Sequence, residues 1–150
     1  NLKLYGLWDI LNDKVLIKHT PVLGICLGMH LMARHSEEGS NTEGLGWFDA
    51  DVVRFRIKDK LKFKIPHMGW NNITVKKDHS LFRGSREKAL YYFVHSYHIN
   101  CYDPEDILAT TTYEYEFTSS VQKNNIFGTQ FHPEKSHDYG EVLLRNFISI

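Results

Sequence analysis

The chain has 150 residues, 42% hydrophobic and 24% charged, which is ordinary for a soluble protein and enough for one domain with its own core. Lys+Arg and Asp+Glu balance at 18 each, so no overall field favours nucleic acid or an anionic membrane surface. Every apolar run is far shorter than a membrane span, and Cys26 and Cys101 are too few for a disulfide framework, so a reducing, cytoplasmic setting is expected.

The chain opens on Asn1 rather than Met, inside what already reads as an element, and an N-terminal portion of the natural protein is expected to be absent. Leu4, Leu7, Trp8, Leu11 and Val15 recur at helical spacing and predict an amphipathic helix over 2–18, ended by Thr20-Pro21. Val22–Ile25 reads as a short buried strand of the parallel type, and Leu27 to about Ser36 as a helix that packs through Leu27, Leu31 and Met32. A polar, Gly-containing loop over 37–46 leads to a strand at 47–55. "IPHMGWNNITV" reads as a loop running into a strand at 72–76. Strands follow at 89–95 and 107–113, then a hairpin over 115–131 around Lys123-Asn124-Asn125. A helix over 138–149, with Val142, Leu143, Phe147 and Ile148 inward, closes the chain. The pattern predicts one mixed α/β domain over 1–150 with helices on both faces of its sheet.

The chemistry centres on "VLGICLGMH". A strand, Gly-x-Cys-x-Gly and a helix form the thiol version of a nucleophile elbow, which lifts Cys26 clear of the sheet beside a helix N-terminus. Taken alone, Cys26 could equally be a buried core thiol. A second stretch, "FGTQFHPEKS", shifts the balance. Pro133 biases His132 towards extended geometry, so His132 and Glu134, two apart, face the same region. A thiol, an imidazole and a carboxylate make the set required for acyl transfer: His132 as base and Glu134 as its orienting partner. His95 and His98 are expected on opposite faces of a strand, which argues against a metal pair, and no metal is expected. Neither a GxxxxGK[ST] nor a GxGxxG loop is present, so no cofactor is expected either.

In this order, "GICLGMH" and "QFHPEKS" resemble the nucleophile and His-x-Glu motifs of the class I glutamine amidotransferases. "KIPHMGWN" and "YFVHSY" narrow the likeness to the glutaminase subunits of imidazole glycerol phosphate synthases and their relatives in surface-polysaccharide gene sets. The resemblance implies a three-layer α/β/α domain around a mixed, mostly parallel central sheet, with its N-terminal part missing. It implies hydrolysis of glutamine through a thioester on Cys26, with ammonia passed to a (βα)8-barrel partner in a heterodimer for histidine biosynthesis or, in the relatives, sugar amidation. By the same carry-over Gly28, His30, Glu38, Ser96 and Tyr97 contact glutamine, and Pro66, His67, Met68, Gly69, Trp70 and Asn71 form the face that meets the barrel. Two departures stand out. The family's upstream Gly-rich segment, part of its oxyanion hole, is expected to lie ahead of Asn1, and His30 stands where the family usually has Gln. Two classes compete: a domain that binds its partner without catalysis, against which the intact Cys26, His132 and Glu134 argue, and a different cysteine hydrolase such as a peptidase, against which "PHMGWN" and "YFVHSY" argue.

Overall fold

The computed structural model describes residues 2–39, 41–85 and 89–150. Helix α1 (Leu7–Asn12) runs on as a π-helical turn, Asp13–Ile17, and is followed by strand β1 (Val22–Ile25) and helix α2 (Leu27–Leu31). Short strands β2 (His35–Ser36) and β3 (Thr42–Glu43) precede β4 (Ala50–Arg54), β5 (His67–Asn72) and β6 (Thr74–Val75). Next come β7 (Leu90–His95), β8 (Tyr97–Cys101), β9 (Ile107–Tyr113), β10 (Tyr115–Lys123) and β11 (Ile126–Thr129), and helix α3 (His137–Ile148) ends the chain.

The main sheet runs β1-β11-β10-β8-β4-β2-β3, with β9 and β6 branching from β10. Strand β10 serves both arms, pairing with β9, β8 and β11, and its register shifts between Thr118 and Val121. Such irregularities bend a strand, and the sheet curls there. Strands β5 and β7 form a separate antiparallel pair. The sheet is mixed as expected, but it is not mostly parallel. Among the described strands only β1–β11 and β2–β4 pair in parallel. The reason is the connections: β9, β10 and β11 follow one another through short turns, and a tight turn can join only antiparallel neighbours.

Strand residues alternate faces, so neighbours such as Ile126 and Phe127 divide between two hydrophobic clusters. Val15, Met29 and Met32 bring α1's extension and α2 onto one face with Val52, Ile99 and Val121. Leu143 brings α3 onto the other, against Leu81, Tyr91, Phe93, Phe127 and Phe131. Helices therefore flank the sheet on both sides, the layered arrangement predicted. Each fully buried Phe or Leu contributes roughly 1.5–3 kcal/mol relative to exposure.

Several local expectations differ from what forms. Residues 2–6 are turns rather than helix, and Leu4 stays exposed. Helix α2 stops at Leu31, because the chain must turn to place His35 beside Asp51. Its inward residues are Met29 and Met32, while Leu27 and Leu31 face out. Ile148 is likewise exposed, as the last residue of α3. Residues 67–72, expected as a loop, are strand β5, held by six backbone pairings to β7.

Candidate active site

Cys26 sits between β1 and α2 with φ 49° and ψ −105°, a left-handed backbone that a non-Gly residue adopts only under constraint. The constraint is visible: the Cys26 N–H donates to Thr129 O at 2.7 Å, and its carbonyl accepts from the His30 N–H at 3.1 Å. Gly24 makes room for the turn. A Cβ there would lie 2.6 Å from Gly28 C and 2.7 Å from the Met29 N. Gly28 is different, since a Cβ on it would meet nothing within 4 Å. Crowding therefore explains the glycine two before the cysteine and not the one two after it.

Strand β11 runs parallel to β1 with Ile25 opposite Thr129, so Cys26 and Gln130 leave the sheet side by side. Gln130 is fully buried, and its Nε2 donates to Cys26 Sγ at 3.8 Å. Two residues on, the His132 N–H donates to Tyr92 O at 2.9 Å. Ser136 Oγ closes the turn, accepting from the Tyr92 N–H and donating to His132 O. His132 Nδ1 lies 2.7 Å from Glu134 Oε1. Glu134 reaches the ring from the 3-10 turn Pro133–Lys135 rather than from an extended strand, a correction to the spacing argument that leaves the pairing intact. A carboxylate can only accept, so Nδ1 carries the proton and Nε2 is the free, basic nitrogen. That Nε2 is buried and has no hydrogen-bond partner. No hydrogen bond joins it to the thiol, and such contacts are often loose before substrate binds.

A cleft of about 380 Å³ opens at the elbow, lined among others by Cys26, His30, Glu38, Pro66, Ser96 and Tyr97. Gly28, His132 and Glu134 lie outside that lining. Burial pushes the Cys26 thiol above its ordinary range. The Leu27 N–H and the Gln130 amide pull the other way, while Glu38 and Glu134 add to the rise. The resting group is a thiol that needs a base.

His30, predicted to touch glutamine, is 6% exposed and has its polar atoms engaged. Its Nε2 is 2.9 Å from Gln130 Oε1, and its Nδ1 is 3.6 Å from Glu38 Oε2. Burial holds its pKa below the usual value. The expected outward face of residues 66–71 divides by strand alternation. Met68 and Trp70 point out, with Trp70 stacked on His137 at 4.9 Å, whereas His67 is buried. Asn71 also turns in, its Nδ2 donating to Thr112 O.

His95 and His98 do not lie on opposite faces, because the chain bends at Ser96 between β7 and β8. Both rings pack on Phe55, at 5.2 and 4.8 Å. Each is committed: His95 Nδ1 donates to Tyr97 O, His95 Nε2 accepts from His67 Nδ1, and His98 bonds Tyr115 Oη and Ile99 O. Cys101 packs against the core, and burial pushes its thiol up to about 12. Gln130 is the residue that sequence reasoning missed. Its place beside Cys26 depends on β11 pairing in parallel with β1, which no local pattern in the sequence encodes.

The family model for glutamine amidotransferase class-I matches residues 9–150. The chain is 54% identical over 148 residues to the imidazole glycerol phosphate synthase subunit HisH 2 of Methanococcus maripaludis, covering 99% of this chain and 72% of that protein. It is 46% identical over 149 residues to the protein of the same name from Pseudomonas aeruginosa, with the same coverage. Among solved structures, a glutamine amidotransferase superposes with a TM-score of 0.70 at 17% identity, covering 99% of this chain and 69% of that one. A second, from Thermotoga maritima, gives 0.60 at 17% identity, covering 95% and 61%. At such identities the likeness is one of fold. The family model matches nearly the whole chain, and the relatives are 46–54% identical over 99% of it: this chain belongs to the class-I glutamine amidotransferases.

Proposed function

We propose that this chain is the glutaminase subunit of an imidazole glycerol phosphate synthase, hydrolysing glutamine with Cys26, His132 and Glu134 and delivering ammonia to a (βα)8-barrel partner. The observation that carries the reading is the state of His132: one ring nitrogen is fixed by Glu134, and the other is buried, basic and unpartnered. His132 Nε2 takes the thiol proton as Sγ attacks the glutamine side-chain carbonyl. Glu134 stabilises the imidazolium that forms. When the tetrahedral adduct collapses, the imidazolium returns its proton to the departing nitrogen, and ammonia leaves. Water, deprotonated by the same nitrogen, then opens the thioester and releases glutamate.

Glu38, Ser96 and Tyr97 line the cleft and are the side chains proposed to hold glutamine. Trp70 and Met68 present the exposed apolar surface for the partner. Trp70 lies directly across β5–β7 from Tyr92, whose carbonyl holds the His132 N–H, so docking there presses on the segment that carries the base. We place the protein in the cytoplasm, in keeping with its two free cysteines.

The test is glutamate release from glutamine by the full-length protein, alone and with its barrel partner, against Cys26→Ala. Activity stimulated by the partner and lost in the variant is the expected result. Partner binding without any glutamate release would overturn it in favour of a non-catalytic docking domain. Ammonia reaching an amidino-sugar precursor instead of a histidine precursor would reassign the pathway while the glutaminase chemistry stands.

A further inference from the structure

The family usually places Gln four residues after the nucleophile, and His30 here is not free to do what that residue does. It is 6% exposed, and its Nε2 faces Gln130 Oε1 at 2.9 Å, while the other end of that amide, Nε2, donates to Cys26 Sγ at 3.8 Å. An amide is two-ended. If His30 donates to Oε1, the NH2 is turned to the sulfur; if His30 accepted instead, Oε1 would face the sulfur. The first arrangement supports a thiolate, because a donor meets the developing charge. The second supports only the neutral thiol.

We propose that His30 is a positioning residue which, by donating to Gln130 Oε1, aims the Gln130 NH2 at Cys26 Sγ and stabilises the thiolate formed during attack. Its place in catalysis rests on the glutaminase reading above; its effect on the thiol does not. The amide has little freedom to escape this role. Gln130 is fully buried, and its backbone N–H is held by Ser119 O at 2.9 Å. Burial keeps the His30 ring neutral, with one proton to place, and Gln130 Oε1 at 2.9 Å from Nε2 is much the nearer acceptor than Glu38 Oε2 at 3.6 Å from Nδ1, which puts that proton on Nε2. The other charged or titratable groups acting on this pair are Glu134 at the thiol, and His95 and His98, which couple to His30 from β7 and β8.

The experiment is site-resolved iodoacetamide labelling of the full chain across pH 6–11, with no glutamine or partner present. It compares wild type with His30→Leu, His30→Gln and Gln130→Met. His30→Leu and Gln130→Met are expected to raise the Cys26 labelling midpoint by about one pH unit, or about tenfold less thiolate at a fixed pH. His30→Gln keeps a donor for Oε1 and is expected to stay within about 0.3 unit of wild type. Unmoved midpoints in His30→Leu and Gln130→Met, or a rise in His30→Gln as large as in His30→Leu, would overturn the proposal. Cys101 is the internal control: if His30→Leu labels it as fast as denatured protein does, Gln130→Met against His30→Gln decides. In glutamine hydrolysis the expected signature is kcat for His30→Leu lowered about tenfold with KM within about twofold. A raised KM with an unmoved thiol midpoint would instead return His30 to direct substrate contact. Shifted midpoints in a protein without glutaminase activity would sink the functional reading and leave the positioning role standing.

Discussion

At the scale of single residues, the two glycines around Cys26 separate steric need from chemical need. Gly24 faces the backbone of the following helix turn, with three atoms of Gly28 and Met29 at 2.6–2.7 Å from where a Cβ would sit. Backbone cannot swing aside as a side-chain tip can. Gly24→Ala is therefore expected to destabilise the fold by about 1–3 kcal/mol, the range for overpacking a tight site. Gly28→Ala is expected to leave stability within about 0.5 kcal/mol, since the added methyl meets open space. Urea unfolding of both variants checks the contrast, and equal losses would contradict the steric account. The same scale shows what the sequence made legible. Cys26, His132 and Glu134 could be named because their motifs encode local geometry: an elbow, and a Pro-led turn that starts at His132. Gln130 and the true engagement of His30 could not, because their contact spans one hundred positions and depends on β11 lying parallel to β1.

At the scale of elements, β5 is the instructive case. "PHMGWNN" has a proline, a glycine and two asparagines, the composition of a loop, yet it forms a strand because β7 supplies a complete antiparallel partner. Tertiary pairing overrode local propensity. A strand alternates, so Met68 and Trp70 are presented outward on a firm backing while His67 is drawn into the core beside His95. The helix boundaries around α2 and the parallel character of the sheet were misjudged for a related reason, since both are fixed by which strands become neighbours. Trp70 is 45% exposed and touches its own chain through His137 and Tyr92, so its removal opens no core cavity. Trp70→Ala is expected to weaken partner binding by about 2 kcal/mol or more, as a buried aromatic anchor does, or about thirtyfold in Kd. It should also blunt partner stimulation of glutamate release while thermal stability stays near wild type. Calorimetric titration with the barrel subunit reads the first effect. Unchanged affinity and unchanged stimulation together would remove Trp70 from the interface.

At the scale of the whole molecule, the core beneath the cleft is partly built from imidazoles. His67 stacks between Phe93 and Tyr113, and His95 packs on Phe55 and Phe117. The hydrogen bonds run one way: Tyr97 O accepts from His95 Nδ1–H, which leaves His95 Nε2 to accept from His67 Nδ1–H. Both rings are neutral in this chain of bonds, and a proton added to His95 has no acceptor waiting for it. Burial lowers the pKa of His67 to about 4 and that of His95 to about 2. In the unfolded chain both return to about 6.5. Between about pH 6.5 and 4 the unfolded state therefore binds more protons than the folded one, and stability falls as pH falls. The stabilisation from neutral burial is fully present above about 6.5 and is lost progressively towards acid. Urea midpoints are expected to decline from pH 7.5 through 6.0 to 5.0, a window mostly above the carboxylate range, so paired acids such as Glu116 contribute little to the slope. His95→Asn retains an N–H near the Nδ1 position for Tyr97 O but cannot titrate; it is expected to be less stable at pH 7.5 and to show a shallower decline. A slope unchanged by that substitution would place the acid sensitivity elsewhere in the fold. Because His95 adjoins Ser96 and Tyr97 at the cleft wall, the same loss of packing at low pH would disturb the proposed glutamine contacts before the sheet itself gives way.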